Sequence, residues 1–290
     1  MFYAYLLITV LFILQPLFEA TDNVSKINFS DSYVTERHQI KVPDIPTDRT
    51  RSYLTFSPKN PPEQAVVWVV FHGSGEHANI PYSESRFNEI AQKNNAIVVY
   101  PEGTGDNPSF RSWNAISCCS TAKRNKSNDV EFIDLMLAEL TEEYNLTKPH
   151  IFLSGNSNGA QFAYRYACES STNIAGIGVA SGAGAEWTSC VIVKDIPTIN
   201  ISEYRTYSTT PPGCSVVTEN KTLYASEHAT TFVTSFLCNK TQHSYYYLDG
   251  GMHGWQNIRE VDYFNKNTLY SKPVSHKIWD YFSQNTLGQK

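Results

Sequence analysis

The pentapeptide G-N-S-N-G at positions 155–159 is the feature that most constrains the fold of this chain. It directly follows the apolar run 150–154, and residues 160–169 after it have the apolar spacing of a helix without Pro or Gly. A G-x-S-x-G sequence between a strand and a helix is the nucleophile elbow, a sharp turn that exposes a serine hydroxyl above a sheet. We therefore predict that Ser157 is a catalytic nucleophile.

Valine-rich apolar runs alternate with helical segments along most of the chain. The predicted strands cover 65–72, 96–100, 150–154, 174–180, 197–201 and 243–248, and the predicted helices cover 83–94, 129–145, 160–169, 222–237 and 274–284. This alternation is typical of an α/β fold with a mostly parallel central sheet and helices on both faces. No linker, repeat or low-complexity tract divides residues 21–290, so we expect a single domain.

Residues 1–18 are apolar and uncharged, and a polar stretch begins after Ala20. We predict a signal peptide over residues 1–20 and therefore a secreted, extracellular protein. The alternative is an uncleaved N-terminal anchor, because the segment approaches the ~20 apolar residues that span a bilayer. Once the signal peptide is cleaved, we expect no association with a membrane.

Cysteines and glycosylation signals agree with secretion. The chain has 6 cysteines, an even number that predicts disulfides behind a signal peptide, whereas no C-x-x-C pair supports a metal site. We expect separate, distant partners for Cys118 and Cys119, because a bridge between neighbours is strained. Glycosylation sequons indicate a glycoprotein. They begin at Asn23, Asn28, Asn125, Asn145, Asn200, Asn220 and Asn239.

The acidic balance of the chain argues against one class of partner. The formal net charge is −5, and the sequence has no basic patch of the kind that nucleic-acid binding requires. We therefore expect no nucleic-acid partner. The sequence does not indicate an oligomeric state.

A serine nucleophile needs a base, which in the elbow-containing folds is a histidine on a loop after the last strand. His253 follows the predicted strand 243–248, lies C-terminal to Ser157, and has glycines on both sides that let its loop approach the elbow. His72 also follows a strand, but it precedes the serine. We therefore predict that His253 is the catalytic base.

The stretch F-H-G-S-G-E at 71–76 follows an early strand and is a candidate oxyanion loop. An oxyanion hole in this arrangement uses the backbone N–H after the nucleophile, here that of Asn158, and a second from such a loop. We predict that the second donor is the N–H of Ser74 or of a neighbouring glycine. The alternative is a simple glycine turn.

A set of motifs in fixed order resembles the polyhydroxybutyrate depolymerase and feruloyl esterase group. The motifs are Y-P-E-G at 100–103, S-W-N at 112–114, the Cys118-Cys119 pair, D-V-E-F-I at 129–133, G-N-S-N-G, Y-R-Y-A-C-E at 164–169 and G-G-M-H-G-W at 250–255. The resemblance covers residues 50–285 and implies an α/β-hydrolase secreted to cleave esters, with Ser157 and His253 as nucleophile and base. Trp113 and Trp255 match aromatic residues near the site of that group, and their alternative role is core packing.

The chain departs from that group at the catalytic acid. The group carries a histidine-glycine pair and then an aspartate after the corresponding strand, whereas Thr206 stands at the aspartate position here. Glu203, at the end of the same predicted strand, is our candidate for the acid, and Glu186 after the preceding strand is the second candidate. The acid orients the histidine and stabilises its charge, so its loss would leave only a feeble hydrolase.

Two classes of function remain open. The first is a secreted serine esterase that acts through an acyl-enzyme on hydroxycinnamoyl (feruloyl-type) or related esters, either small or linked to a polysaccharide. The second is a catalytically impaired relative that acts as a secreted binding protein, for which the missing aspartate is the main support. We favour the esterase, because a pure binder would have little reason to retain the serine, the histidine and the oxyanion loop. We expect neither a metal nor a cofactor.

Overall fold

The computed structural model describes residues 31–43, 49–182, 188–203, 210–225, 230–262 and 268–287. The predicted signal peptide, Glu186 and Thr206 lie outside these residues. The strands are β1 (Tyr33–Val42), β2 (Arg49–Pro58), β3 (Val66–Phe71), β4 (Ile97–Pro101), β5 (Thr104–Asn107), β6 (Phe110–Ser112), β7 (His150–Asn156), β8 (Ile174–Ala180), β9 (Thr198–Ser202), β10 (Cys214–Ala225), β11 (Thr230–Cys238), β12 (Thr241–Asp249), β13 (Asn257–Asp262) and β14 (Thr268–Pro273). The helices are α1 (Asn79–Glu84), α2 (Phe87–Asn94), α3 (Ser120–Arg124), α4 (Asp129–Glu143), α5 (Asn158–Glu169), α6 (Thr188–Val193) and α7 (Val274–Asn285). None of the helices in the described ranges has the length and apolar character needed to cross a membrane.

A 10-stranded sheet organises the molecule, in the order β1-β2-β4-β3-β7-β8-β9-β12-β11-β10. The central strands from β4 to β12 run parallel to one another. Antiparallel strands extend the sheet on both sides, β2 and β1 beyond β4, and β11 and β10 beyond β12. The prediction of a mostly parallel central sheet is therefore confirmed.

Side chains of β3 enter two separate cores. Val67, Val69 and Phe71 pack in the core that includes residues of α4 and α5, whereas Trp68 and Val70 pack in the core that includes residues of α2 and α7. Successive side chains of a strand point to opposite faces, so a strand covered by helices on both faces must be apolar throughout. This explains the continuous apolar runs in the sequence and confirms the predicted helices on both faces.

Two of the predicted helices differ from the structure. The segment 83–94 contains the end of α1 and all of α2, with Arg86 in a left-handed conformation between them, at φ 63°. The predicted helix 222–237 is wrong, because β10 continues to Ala225 and β11 occupies Thr230–Cys238. The first half of β11 is T-T-F-V-T, whose branched and aromatic side chains favour strands, and its buried residues alternate as a strand requires.

Two disulfides connect neighbouring elements, and the predicted presence of disulfides is confirmed. One joins Cys168 at the end of α5 to Cys190 in α6. The other joins Cys214 and Cys238, which face each other across β10 and β11. The strand β10 is the last in the sheet, and its pairing with β11 contains register shifts. Val216 and Val217 on this edge strand are exposed.

The prediction of separate partners for Cys118 and Cys119 is wrong. These two residues are bonded to each other, and the peptide bond between them is cis. The four remaining cysteines pair among themselves, so each member of this pair has only its neighbour as a partner.

A buried ion pair connects β2 to the start of α4. Nη1 of Arg51 lies 3.0 Å from Oδ1 of Asp129, and the two side chains are 4% and 0% exposed. The second carboxylate oxygen of Asp129 accepts the backbone N–H of Asn114 at 2.7 Å. The guanidinium of Arg51 also donates to the carbonyl oxygen of Glu102 and lies over the ring of Phe132. This network therefore holds the 102 and 114 loops against the sheet.

We expect Asp129→Ala to lower the free energy of unfolding by about 3–5 kcal/mol, because it leaves the Arg51 guanidinium buried without its counter-charge. Urea unfolding monitored by tryptophan fluorescence measures the change. Asp106→Ala is the control, since the Asp106–Arg124 pair is 71% and 63% exposed, and we expect it to leave stability unchanged. Equal unfolding midpoints for the two variants would contradict the structural role of the buried pair.

Candidate active site

Ser157 lies at the turn between β7 and α5. Its backbone has φ 52° and ψ −121°, a conformation that is unfavourable for a residue with a side chain. Glycines on both sides make the turn possible. A Cβ on Gly155 would lie 2.6 Å from the backbone of Gly159, and a Cβ on Gly159 would lie 2.5 Å from the carbonyl oxygen of Phe71. The sequence G-N-S-N-G thus forms the tight strand-to-helix turn that the motif predicts.

The loop that carries His253 is fixed beside this turn by Ser181. The hydroxyl of Ser181 accepts the backbone N–H of Gly254 at 2.8 Å. The preceding residue, Ala180, accepts the backbone N–H of Ser157 at 3.2 Å. The end of β8 therefore binds the elbow and the histidine loop through adjacent residues. The side chain of His253 is 49% exposed.

Glu203 contacts the histidine. Its Oε1 lies 2.5 Å from Nδ1 of His253, and its side chain is only 11% exposed. The strands explain the contact, because β9 and β12 are parallel neighbours in which Ser202 faces Tyr247. Residues that follow the two strands therefore emerge side by side. A carboxylate at Nδ1 holds the proton on that nitrogen and leaves Nε2 to act as a base.

The candidate oxyanion loop is held by a carboxylate that sequence reasoning missed. Oε2 of Glu76 accepts the backbone N–H of Gly73 at 2.7 Å, and Oε1 accepts from the amide of Asn156 at 3.3 Å. Glu76 thus joins the loop to Asn156, the residue before Ser157. Because the N–H of Gly73 is engaged, the exposed Ser74 is the better candidate for the donor from this loop.

Asn158 begins α5, where a backbone N–H has no acceptor within the helix. Its buried side chain is fixed by two hydrogen bonds to the backbone of Trp113: Oδ1 accepts at 2.7 Å and Nδ2 donates at 3.1 Å. These bonds explain why an asparagine follows Ser157. They attach the start of α5 to the 113 loop and so fix the direction of its first N–H groups.

The structure gives the two candidate substrate-binding tryptophans different positions. Trp113 is fully buried, and its ring stacks on Phe162 with centroids 5.0 Å apart, which agrees with core packing, the alternative for this residue. Its indole N–H donates to the carbonyl oxygen of His72 at 3.0 Å. Trp255 is partly buried, and its ring lies 5.8 Å from that of Phe87. Trp255 therefore remains a candidate for contact with substrate.

His72 supports the candidate oxyanion loop as a neutral residue. Nδ1 donates to the carbonyl oxygen of Gly73 at 2.7 Å, and Nε2 accepts the backbone N–H of Gly103 at 2.9 Å. Complete burial lowers the pKa of His72 to about 3, because the charged imidazolium would lose its hydration. The ring therefore works as a hydrogen-bond bridge between two loops.

One group of described residues has the ligand types that bind a metal. Ligand atoms of Glu36, His38 and Glu143 lie within 4.8 Å of one another at the β1 edge of the sheet. Nδ1 of His38 is 3.6 Å from Oε2 of Glu143, while its Nε2 contacts Oγ1 of Thr55 at 3.0 Å. None of these side chains contacts the elbow or the His253 loop in the described residues.

The known proteins to which this chain is similar include several that are named as esterases. No protein-family model matches the chain. A bifunctional acetylxylan esterase/xylanase of Neocallimastix patriciarum is 23% identical over 133 residues, a match that covers 46% of this chain and 18% of the relative. A protein of Nocardia uniformis subsp. tsuyamanensis that bears the name "Putative esterase NocK" is 29% identical over 137 residues, covering 46% of this chain and 38% of the relative. The matches thus span well under half the length of these curated relatives.

Among solved structures, an acetyl xylan esterase from Aspergillus awamori superposes with a TM-score of 0.50 and 15% sequence identity. The superposition covers 72% of this chain and 92% of the other. At 15% sequence identity this superposition shows a shared fold and nothing about activity. Together with the sheet order, it confirms the predicted α/β-hydrolase fold.

Two buried histidines make the stability of the protein depend on pH. Burial lowers the pKa of His72 to about 3 and that of His243, in β12, to about 4, whereas an unfolded histidine titrates near 6.5. Below that value the unfolded chain binds protons that the folded state does not take up. We therefore expect the free energy of unfolding to fall as the pH drops below 6.5, by about 2 kcal/mol for each histidine at pH 5.

Urea unfolding of the His243→Asn variant at pH 7 and pH 5 isolates the contribution of His243 to the pH dependence of the free energy of unfolding. We expect this variant to lose less stability than the wild type over that interval, whatever its stability at pH 7. His150→Asn, at an exposed position at the start of β7, is the control and should keep the wild-type pH dependence. Parallel losses in all three proteins would show that His243 is not the buried neutral group described.

Proposed function

We propose that this protein is a serine carboxylic ester hydrolase that acts through an acyl-enzyme. The contact between Glu203 and His253 carries the proposal, since it joins a carboxylate to an imidazole on a loop bound beside the elbow. A serine on a strained turn, a histidine and an orienting carboxylate are the groups that acyl transfer by serine requires. The esterase names of both curated relatives support the same class of reaction.

Acylation uses Ser157 and His253 together. As Oγ of Ser157 attacks the carbonyl carbon of the ester, Nε2 of His253 takes its proton. The negative charge that develops on the carbonyl oxygen is stabilised by the backbone N–H groups of Asn158 and Ser74. The bond to the alcohol then breaks, and His253 gives its proton to the departing oxygen. The acyl group remains attached to Ser157.

Deacylation repeats these steps with water as the nucleophile. Nε2 of His253 takes a proton from water as the water oxygen attacks the acyl carbon. When the bond to Oγ breaks, the proton passes to Ser157, and the carboxylic acid leaves. Throughout the cycle the carboxylate of Glu203 stabilises the imidazolium by accepting the hydrogen bond from Nδ1.

We propose esters of hydroxycinnamic (feruloyl-type) or related acids as substrates, either small molecules or esters linked to a polysaccharide. The resemblance to the feruloyl esterase group supports the acyl part. The names of two relatives, an acetylxylan esterase/xylanase and an acetyl xylan esterase, support a polysaccharide as the alcohol part and make acetyl esters the natural comparison. Rates on acetylated xylan, methyl ferulate and a hydroxybutyrate oligomer would rank these classes.

We also propose that the protein is a secreted extracellular glycoprotein. Disulfides are typical of oxidising compartments. The sequon residues Asn125, Asn145 and Asn239 are exposed, as glycosylation requires. Asn200 is instead buried in β9, where its amide donates to the carbonyl oxygen of Gly182, and we expect that sequon to stay unmodified.

The alternative of a secreted binding protein rested on the missing aspartate. The contact of Glu203 with Nδ1 of His253 offers a carboxylate in place of that aspartate and so supports the esterase over this alternative. Negligible turnover on every ester offered would revive it.

Substitution of the three groups tests the mechanism with a chromogenic short-chain ester. We expect Ser157→Ala to abolish turnover and labelling by an organophosphonate. Glu203→Gln should keep labelling in part but lower kcat by about two to four orders of magnitude, because the amide cannot stabilise the imidazolium by charge. Glu142→Gln, at an exposed position in α4, should retain wild-type kcat. Normal turnover in Glu203→Gln together with a loss in Glu186→Gln would move the acid to Glu186.

The hydrogen bonds of Glu76 to Gly73 and Asn156 lead to a second prediction about the same reaction. We expect Glu76→Ala to lower kcat by about tenfold to a hundredfold with little change in KM, because the loop would no longer be held for the transition state. Glu76→Gln should restore much of kcat, since its carbonyl oxygen can still accept from Gly73. Circular dichroism and the unfolding midpoint control for misfolding. A change confined to KM, or no recovery in Glu76→Gln, would show that Glu76 does not position the loop.

A further inference from the structure

Three side chains of metal-binding types lie together where β1 runs beside the end of α4. Glu36 and His38 are two residues apart in β1 and therefore point to the same face of the sheet, while Glu143 is the last residue of α4. One ligand atom from each side chain lies within 4.8 Å of the other two. The sequence does not predict a metal here, because the three residues come together only in the fold.

The imidazole of His38 is held in one orientation. Its ring stacks on that of Tyr53, with centroids 4.7 Å apart and 8° between the planes, and its side chain is only 14% exposed. Nε2 contacts the hydroxyl of the buried Thr55 at 3.0 Å. A histidine that binds a metal through one nitrogen usually donates a hydrogen bond from the other, which fixes the ring and its tautomer. With Nε2 as the donor to Thr55, the lone pair is on Nδ1, the nitrogen that faces Glu143.

The gap between His38 and Glu143 has the size that a metal ion requires. Nδ1 of His38 is 3.6 Å from Oε2 of Glu143, which is longer than a hydrogen bond. Two ligands of one tetrahedral Zn²⁺, each about 2.0–2.1 Å from the ion, are about 3.3–3.4 Å apart. Glu36 is exposed, so its side chain can turn to bring a third ligand to a similar distance. The spacing therefore suits three protein ligands and a fourth position open to water.

The surroundings of this group favour a cation. α4 ends at Glu143, and the C-terminus of a helix carries a partial negative charge. Glu139, one turn earlier, adds a carboxylate that accepts the hydroxyl of Tyr53 at 2.7 Å. Within the described ranges, no Lys or Arg forms an ion pair with Glu36 or Glu143. The charge of these two carboxylates is therefore available to a bound ion.

We propose that Glu36, His38 and Glu143 bind a divalent transition-metal ion such as Zn²⁺. Nδ1 of His38 and one oxygen of each carboxylate are the ligands, and water completes the coordination. The imidazole favours Zn²⁺ over Ca²⁺, which takes oxygen ligands. The ion ties β1, the last strand at its end of the sheet, to α4 and so stabilises that edge. This inference does not depend on the proposed ester hydrolysis, because none of the three ligands belongs to the candidate catalytic groups.

Thermal unfolding of the mature chain, first freed of metal with EDTA and then dialysed, tests the proposal with Zn²⁺ as the probe. The chain is used in its glycosylated form, so that the glycan expected at Asn145, two residues from Glu143, is present. At a Zn²⁺ concentration about a hundredfold above the Kd, we expect Tm to rise by about 5 °C, because the unfolded chain does not hold the three ligands together.

Calorimetric titration of variants identifies the ligands. We expect Glu36→Gln and His38→Asn each to bind Zn²⁺ at least about tenfold more weakly, whereas His150→Asn, at an exposed histidine of β7, should keep the wild-type affinity. Thr55→Val should also lower the affinity by about tenfold, because His38 would lose the partner that fixes its ring. Ester turnover of Glu36→Gln should equal that of the wild type.

Three results would overturn the proposal. The first is a Tm that Zn²⁺ does not raise in the wild type. The second is an affinity for Zn²⁺ that neither Glu36→Gln nor His38→Asn changes, since the ion would then bind elsewhere. The third is a rise in Tm with Ca²⁺ as large as that with Zn²⁺, which would show that the imidazole of His38 is not a ligand.

Discussion

The close approach of α5 to the end of β3 is the constraint on which the candidate site depends. Gly159 permits it, because any side chain there would collide with the carbonyl oxygens of Phe71 and His72. Trp113 then links these two segments. Its ring N–H donates to the carbonyl oxygen of His72, which follows β3, and its backbone N–H donates to Oδ1 of Asn158 in α5. These bonds hold the elbow and the candidate oxyanion loop together, so in the proposed mechanism the donors are oriented before a substrate arrives.

The sequence predicted the elements that local motifs and chain order determine. The turn at Ser157 is predictable because glycines, a strand and a helix surround it, and the position of His253 is predictable because it follows the last strand of the parallel centre. The choice between Glu203 and Glu186 depended on which strand lies next to β12. That neighbour is β9, which brings Glu203 to the histidine, and strand order is a property of the whole sheet that one segment does not encode.

Tertiary contacts decided what the sequence could not predict. The segment 222–237 has mixed propensities, and pairing of β11 with β10 and β12 makes it a strand. The burial of Trp113 depends on Phe162 and Phe71, which are distant in sequence. Glu76 could have been suspected from its place beside the glycines of the oxyanion loop. Ser181 had no comparable signal, because a serine after a strand is common.

The bond between Cys214 and Cys238 has a consequence for how the protein must be made. It fastens the outermost strand of the sheet, whose pairing is irregular and whose valines face solvent. In a reducing cytosol that strand would keep only its noncovalent contacts, and its detachment would uncover β11 as a long template for pairing with other chains. We therefore expect oxidative folding to reduce self-association, which favours the secretory pathway or the periplasm for recombinant production.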